Sequence, residues 1–343
     1  MQNIEEIRKK VGRLDQVFGV RTLRLEGGRA DGMRLCEMEN GEGLRLEILP
    51  DRAMDPYRLS FRGVNLSFLT NVAPVAPAFA DGTETSFPKH FNAGMMTTCG
   101  LGNVGVPNDF HGERKLQHGR FSTLPAEEFA AFSEVDPDGT PVLVARGVIR
   151  EARFFGETLT ARREIRMRFG ENKFTLRDKI RNEGYEKHEL MLLYHCNLGY
   201  PLVDDGARLI LPPTLVTPRD AEAEKGRDTY MLFHGPRHGY AEQCFYLDCE
   251  EDDKDGRVYA ALLNPEKELA LRLSFRKSEL PYMTEWKQMG EQFYVVGLEP
   301  GNCHVGGAAE EEERGTLTWL EPGEEREYGL TFEVLEGKDA TSL

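Results

Sequence analysis

The 343-residue sequence predicts an all-β chain, mostly antiparallel, built as a sandwich with few short helices. Three observations lead there: period-two alternation of apolar and polar residues over several long stretches, punctuation of those stretches by Gly, Pro and Asn, and a scarcity of helical periodicity. Residues 1–343 read as one domain, because all-β chains of this size need not divide and no repeat, linker or break in composition interrupts this one.

Taken in order, Ile4, Ile7, Val11 and Leu14 predict a short amphipathic helix or arm within the N-terminal ~15 residues. Leu44 to Leu49 reads as a strand running into Pro50, and Ala126 to Ser133 predicts a short turn of helix. From Leu159 to Phe169 the odd positions are Leu, Ala, Arg, Ile, Met and Phe, the signature of a half-buried strand. Phe174, Leu176 and Ile180 repeat the pattern, and Asn182-Glu183-Gly184 then supplies a hairpin-like turn. Leu269 to Phe275 and Tyr328 to Val334 alternate in the same way. The acidic runs Glu250 to Asp255 and Glu310 to Glu313 are most simply solvated loops.

A net charge of −15 argues against a nucleic-acid partner, because a phosphate backbone rewards clustered Lys and Arg. The first residues lack the apolar core of a secretory signal, and no later run reaches the length of a membrane span. The expectation is a cytoplasmic protein with a small-molecule partner and no membrane partner; assembly as a homo-oligomer stays open. The six cysteines form no CxxC pair, which suits reduced thiols rather than a disulfide frame, and Cys99 and Cys196 read as packing residues.

Five stretches carry candidate chemistry. In Leu49-Pro-Asp-Arg-Ala-Met-Asp55, Arg52 offers a planar donor fork and Asp55 an acceptor for sugar hydroxyls, or the two brace the turn as an ion pair. The small residues of Asn92 to Gly105 suit a pocket wall; with no lysine and no following helix they are not a phosphate loop. His111-Gly112 and His118-Gly119 pair an imidazole with a residue that lets the chain turn sharply and expose it. His195, with Asn197 beside it, sits where the apolar run from Met191 reads as a strand ending in a Gly/Pro turn; it is either a hydrogen-bonded structural histidine or a functional one. In Tyr294 to Asn302 an apolar strand delivers Glu299 to a Pro-Gly turn, and a carboxylate there is costly unless paired or used.

Together Leu49 to Asp55, Thr97 to Gly105, His118 to Arg120, Leu193 to Pro201 and Gly297 to Asn302 resemble the galactose mutarotase (aldose 1-epimerase) superfamily, and most closely its bacterial aldose 1-epimerase-like branch. The resemblance runs from about Val11 through Val334. It implies a β-supersandwich with a sugar cleft on a concave face, and an isomerase needing neither cofactor nor metal that interconverts the anomers of a monosaccharide or derivative. It also implies that Glu299 takes the anomeric hydroxyl proton, that His195 protonates the ring oxygen and that His118 holds sugar oxygens nearby.

Two features depart from that pattern. The arginine that the family carries shortly before its second histidine is missing from Gly94 to Gly100, so Arg52 is the expected substitute, and no residue clearly matches the aspartate that binds distal hydroxyls. Arg52, Asp55 and Asn197 are therefore expected to bind or orient substrate, with His111. Trp286 and Lys287 are read either as a stacking face and a cationic contact or as a packed ring with its lysine in water. Two other readings stand beside this one. In the first, His111, His118, His195 and Glu299 hold a divalent metal for a sugar isomerase or epimerase. In the second, a carbohydrate-binding or sensing protein keeps the cleft without turnover.

Overall fold

The computed structural model describes residues 4–83 and 86–343. Two large antiparallel sheets face each other. The eight-stranded sheet runs, from one edge to the other, Glu127–Val135, Pro141–Ala152, Thr158–Arg168, Lys173–Asn182, Glu325–Glu336, Leu269–Arg276, Arg257–Asn264 and Arg208–Ile210. The second sheet runs Thr214–Pro218, Gln243–Cys249, Tyr282–Gly290, Phe293–Gly301, His188–Gly199 and Thr318–Leu320, with Met96–Leu101 also paired to His188–Gly199. A five-stranded sheet of residues 19–65 packs beside them. Among the described residues the helices are short, the longest being Ala308–Arg314, and none is long and apolar enough to cross a membrane.

Alternation decides what each face touches. In the His188–Gly199 strand, Leu192, Tyr194, Cys196 and Leu198 join a core that also holds Ile165, Leu176, Phe174 and Phe332 from the facing sheet. The opposite face splits in two. Met191 and Leu193 enter a smaller cluster with Cys99, Val104, Phe110 and Cys303, whereas His195 lies in the open part. All six cysteines are unpaired and buried, so they act as small packing groups.

Arg163 stands on the apolar row of its strand and is fully buried. Its guanidinium donates to Asp178 and Asp55, to the Ala53 carbonyl and to the Thr98 hydroxyl, while Tyr194 donates its hydroxyl to Asp178 at 2.7 Å. One cation thus ties all three sheets together.

Several expectations need correction. Glu127–Val135 is an edge strand, not a helix: Phe129 and Phe132 have helical spacing, but pairing with Pro141–Ala152 satisfies the backbone and overrides it. Asn182-Glu183-Gly184 is a corner between the large sheets rather than a hairpin turn, held by Asn182 Nδ2 donating to the carbonyls of Glu186 and Leu320. Glu310 to Glu313 lies in a helix, with Glu311 fully buried against His304 and Thr316. The N-terminal helix covers Ile4–Arg8, with a separate 3-10 turn at Leu14–Gln16; Met1, Gln2 and Asn3, which belong to the expected arm, lie outside the described residues.

Replacing Arg163 with Met should lower the unfolding free energy by about 3–5 kcal/mol, because two buried carboxylates lose their counter-charge. Urea denaturation followed by tryptophan fluorescence reads this, and a loss below ~1 kcal/mol would show that the cation does not hold the sheets.

Candidate active site

The register of two neighbouring strands creates the centre of the site. His188–Gly199 and Phe293–Gly301 pair with Cys196 opposite Leu298 and Asn197 opposite Gly297, which sets His195 and Glu299 beside each other on one face. His195 Nε2 lies 3.1 Å from Glu299 Oε1. Both residues are in mid-strand, not at strand ends as the nearby Gly and Pro suggested. Backbone pairing continues through Gly199 and Gly301, and His195, Glu299 and Asn197 are polar groups within a mostly apolar ladder.

Gly297 makes room for this arrangement. A Cβ there would fall 2.5 Å from Glu299 Oε1 and 3.1 Å from the Cβ of Trp286, which faces it on the adjacent strand. A glycine inside a strand often marks such a close approach.

Three rings surround His195. The centroids of Phe91 and Trp286 are each 5.3 Å away, and that of His118 is 5.9 Å away. His118 sits in left-handed backbone at φ 55°, followed by Gly119 at φ 67°, where a Cβ would collide with the Gly100 carbonyl at 2.2 Å. Its Nδ1 accepts from the Gly105 N–H at 3.3 Å, so a neutral His118 carries its proton on Nε2. Trp286 donates its indole N–H to Glu242 at 2.8 Å.

These groups line an open cleft of about 660 Å³ together with Arg219, Tyr246 and Arg314. Arg219 donates to Asp220 at 3.0 Å and to Glu242 at 3.5 Å, and Arg314 pairs with Glu310.

Burial sets the proton inventory. It pushes the Glu299 carboxyl up to about 8, with the nearby Glu242 adding to the rise and Arg219 opposing it. Burial likewise pushes His195 down to about 3 and His118 down to about 4, His118 adding to the depression at His195. At neutral pH the pair therefore holds one proton, resting on Glu299.

Of the expected site residues, Glu299, His195, His118 and Trp286 come together. Asn197 is buried next to them; its side-chain amide donates to the His195 carbonyl at 2.8 Å, and its Oδ1 has no partner among the described residues. The remaining four belong elsewhere. Arg52 is buried as a clamp, donating to the carbonyls of Ser122, Val75 and His90 and to Asn92 Oδ1. Asp55 is the first residue of a strand and accepts from Arg163 and Thr98, so it is paired, though not with Arg52.

Lys287 follows Trp286 and so points through the sheet to the interior, where its ammonium donates to the Thr229 and Leu232 carbonyls at 2.8 and 2.7 Å. His111 turns at φ 48° as expected, but at the surface, stacked on Phe110 and 3.1 Å from Glu312. The metal set of His111, His118, His195 and Glu299 is thus not assembled, and among the described residues no group of three or more His, Cys, Asp or Glu has the geometry to hold a metal ion.

Most of Asn92 to Gly105 is buried strand rather than a wall of this cleft, while Gly102 and Asn103 line a separate cavity. Gly100 is needed there because a Cβ would sit 2.2 Å from the Met191 carbonyl, and only Gly105 reaches the cleft. Sequence reasoning missed Arg219, Glu242, Phe91 and Arg314. For Arg219 a signal existed: an alternating strand ends in Pro218-Arg219-Asp220, the same order of strand, proline and charged turn that drew attention to Arg52.

With this geometry established, comparison with known proteins places the chain. A family described as a domain of unknown function (DUF4432) matches residues 30–334. The chain belongs to the DUF4432 family. No curated protein matches it. Among solved structures, this DUF4432 protein is similar to a candidate aldose 1-epimerase from Klebsiella pneumoniae, with a TM-score of 0.90, 26% identity, and coverage of 96% of this chain and 88% of that one.

It also resembles a galactose mutarotase-like protein from Clostridium acetobutylicum (TM-score 0.61, 12% identity, 94% and 100% covered). A galactose 1-epimerase from Lactobacillus acidophilus is similar to the same extent (TM-score 0.62, 13% identity, 93% and 99% covered). The DUF4432 chain has the galactose mutarotase-like β-sandwich fold, and the family falls within that superfamily.

Glu299 should keep its proton at pH 7 and release it near 8. The protonated-carboxyl stretch in infrared difference spectra between wild type and Glu299→Gln isolates this group; its disappearance already in the ordinary carboxylate range would contradict the burial argument.

Proposed function

We propose that the protein is an aldose 1-epimerase, interconverting the anomers of a free sugar by acid–base ring opening. The observation that carries this reading is the approach of Glu299 and His195 to 3.1 Å on the floor of a ringed cleft, where the two groups hold a single titratable proton, on Glu299 at rest. Anomerisation removes a proton from the anomeric hydroxyl and delivers one to the ring oxygen. Reclosure after rotation about the C1–C2 bond reverses both transfers, so one proton on two facing groups suffices for a full cycle.

Glu299 is the base and His195 the acid once the resting proton has moved from Glu299 to His195. A bound sugar favours that crossing, because its hydroxyls supply the hydrogen bonds that an ionised pair needs in a buried site. His118 donates from Nε2 to a sugar oxygen, the Trp286 face takes the C–H side of the ring, and Asn197 positions His195. Arg219 and Glu242, held to each other, with Glu242 also accepting from Trp286, present a donor and an acceptor for distal hydroxyls, the role first expected of Arg52 and Asp55.

Each guanidinium in the cleft is matched by a carboxylate, which suits a neutral polyhydroxyl ligand better than a sugar acid. The names of the similar structures, one of them a galactose 1-epimerase, support the same reaction class.

Glu299→Gln and His195→Asn should each lower anomerisation turnover by about 10² to 10⁴. Proton NMR of freshly dissolved single anomers measures it, and losses below tenfold in both variants would overturn the assignment. Tight sugar binding without faster equilibration would instead indicate a binding protein.

The pH profile follows from the proton count. Between about 3 and about 8 the pair carries one proton; above about 8 Glu299 loses it and no acid remains, so turnover should hold level through neutrality and fall as pH rises past 8. A profile that rises through pH 8 would contradict the one-proton scheme.

A further inference from the structure

A second cavity, of about 340 Å³, begins where the cleft ends, and the two share Tyr246 and Arg314 as walls. Strand register explains the continuity. On the Tyr282–Gly290 strand, Tyr282, Thr284 and Trp286 point to one face, and Thr284 lies opposite Glu299 on one side and Tyr246 on the other. Trp286 therefore stands two residues from the level of Glu299 in one direction and Tyr282 two residues in the other, each roughly 7 Å along the strand at ~3.4 Å per residue.

The Trp286 side is the walled part of the cleft that holds His195, Phe91 and His118. The Tyr282 side is a second aromatic surface. Tyr282 packs on His304 with ring centroids 4.2 Å apart, and Tyr246 meets the same imidazole edge-on at 4.7 Å. His304 Nδ1 and backbone N–H lie within 3.3 Å of Glu311, a fully buried residue, so this platform is braced from behind. Leu215 forms its far rim and is 69% exposed.

A cleft of about 660 Å³ already lies in the range of drug-sized ligands, roughly 300–1,000 Å³, and the second cavity extends it further. Aromatic faces flanked by charged donors and acceptors are the chemistry that receives sugar rings, whose C–H faces are apolar and whose edges carry hydroxyls.

We infer that the substrate is a reducing sugar of at least two rings, its anomeric ring at Glu299 and His195 and its second ring against Tyr282 and Tyr246, with Arg314 reaching hydroxyls of both. This rests on the anomerase reading above and names its substrate class. Tyr282 is then the residue that selects a disaccharide over a monosaccharide.

The test compares anomer equilibration of freshly dissolved maltose, cellobiose and lactose with that of glucose, their common reducing-end ring, using the full-length protein. At least one disaccharide should have a kcat/KM about five- to tenfold above glucose, the gain expected of one further stacked ring, and Tyr282→Ala should bring the two values together whatever it does to the glucose rate. Glucose turned over as well as or better than every disaccharide, or an unchanged ratio in Tyr282→Ala, would overturn the inference.

If no sugar is equilibrated, the anomerase reading fails and the second site is judged by binding alone. Saturation-transfer NMR reaching protons of both rings, and lost from the second ring in Tyr282→Ala, supports it; transfer to one ring only, or to none, overturns it.

Discussion

The guanidinium of Arg163, buried without access to water, is the constraint on which the other parts depend. It contacts Asp55 and the Ala53 carbonyl in the N-terminal sheet, Asp178 in its own sheet and Thr98 in the cleft sheet, and Tyr194 closes the ring by donating to Asp178. A charge so placed is tolerated only because every neighbour is a hydrogen-bonding partner. Thr98 and Tyr194 pair directly across two adjacent strands, one residue along from His195 and Thr97. The network that fixes the sheets relative to one another therefore also fixes the strand that carries His195.

The same sheet carries opposite chemistry on its two faces. The interior face buries Lys287, which donates to carbonyl oxygens, and Glu285 beside it, whereas the outer face at His195 and Glu299 leaves His195 Nδ1, Glu299 Oε1 and Asn197 Oδ1 buried without a hydrogen-bond partner among the described residues. Such atoms are destabilising in a core and useful in a binding site. They gather at the wall of an open cleft, beside a carboxyl raised and an imidazole lowered by burial, and that access to a ligand sets them apart from Glu285 on the interior face.

Legibility followed periodicity. Strands Thr158–Arg168, Lys173–Asn182, Leu269–Arg276 and Glu325–Glu336 were readable because each alternates over many residues. The edge strand Glu127–Val135 was not, since the helical spacing of its phenylalanines competes with a pairing that only the neighbouring strand reveals. In the site, His195, Glu299, His118 and Trp286 stood out as polar or aromatic groups in stretches that did not otherwise call for them. Arg52 and Asp55 carried the same local signal but serve as a clamp and an ion-pair member, because a charged turn after a strand looks alike whether it faces a cleft or the interior.

The sequence alone determined the β architecture, the acidic character that argues against a nucleic-acid partner and four of the residues that line the cleft, because alternation, charge and residue type are local properties. Tertiary structure decided which side of each strand meets the cleft. It put Lys287 inside while Trp286 stayed out, set Arg219 rather than Arg52 in the cleft, separated His111 from His118, and joined a second aromatic surface to the first. Each of those outcomes depends on register between strands distant in the chain, and a shift of one residue in that register would exchange the two faces.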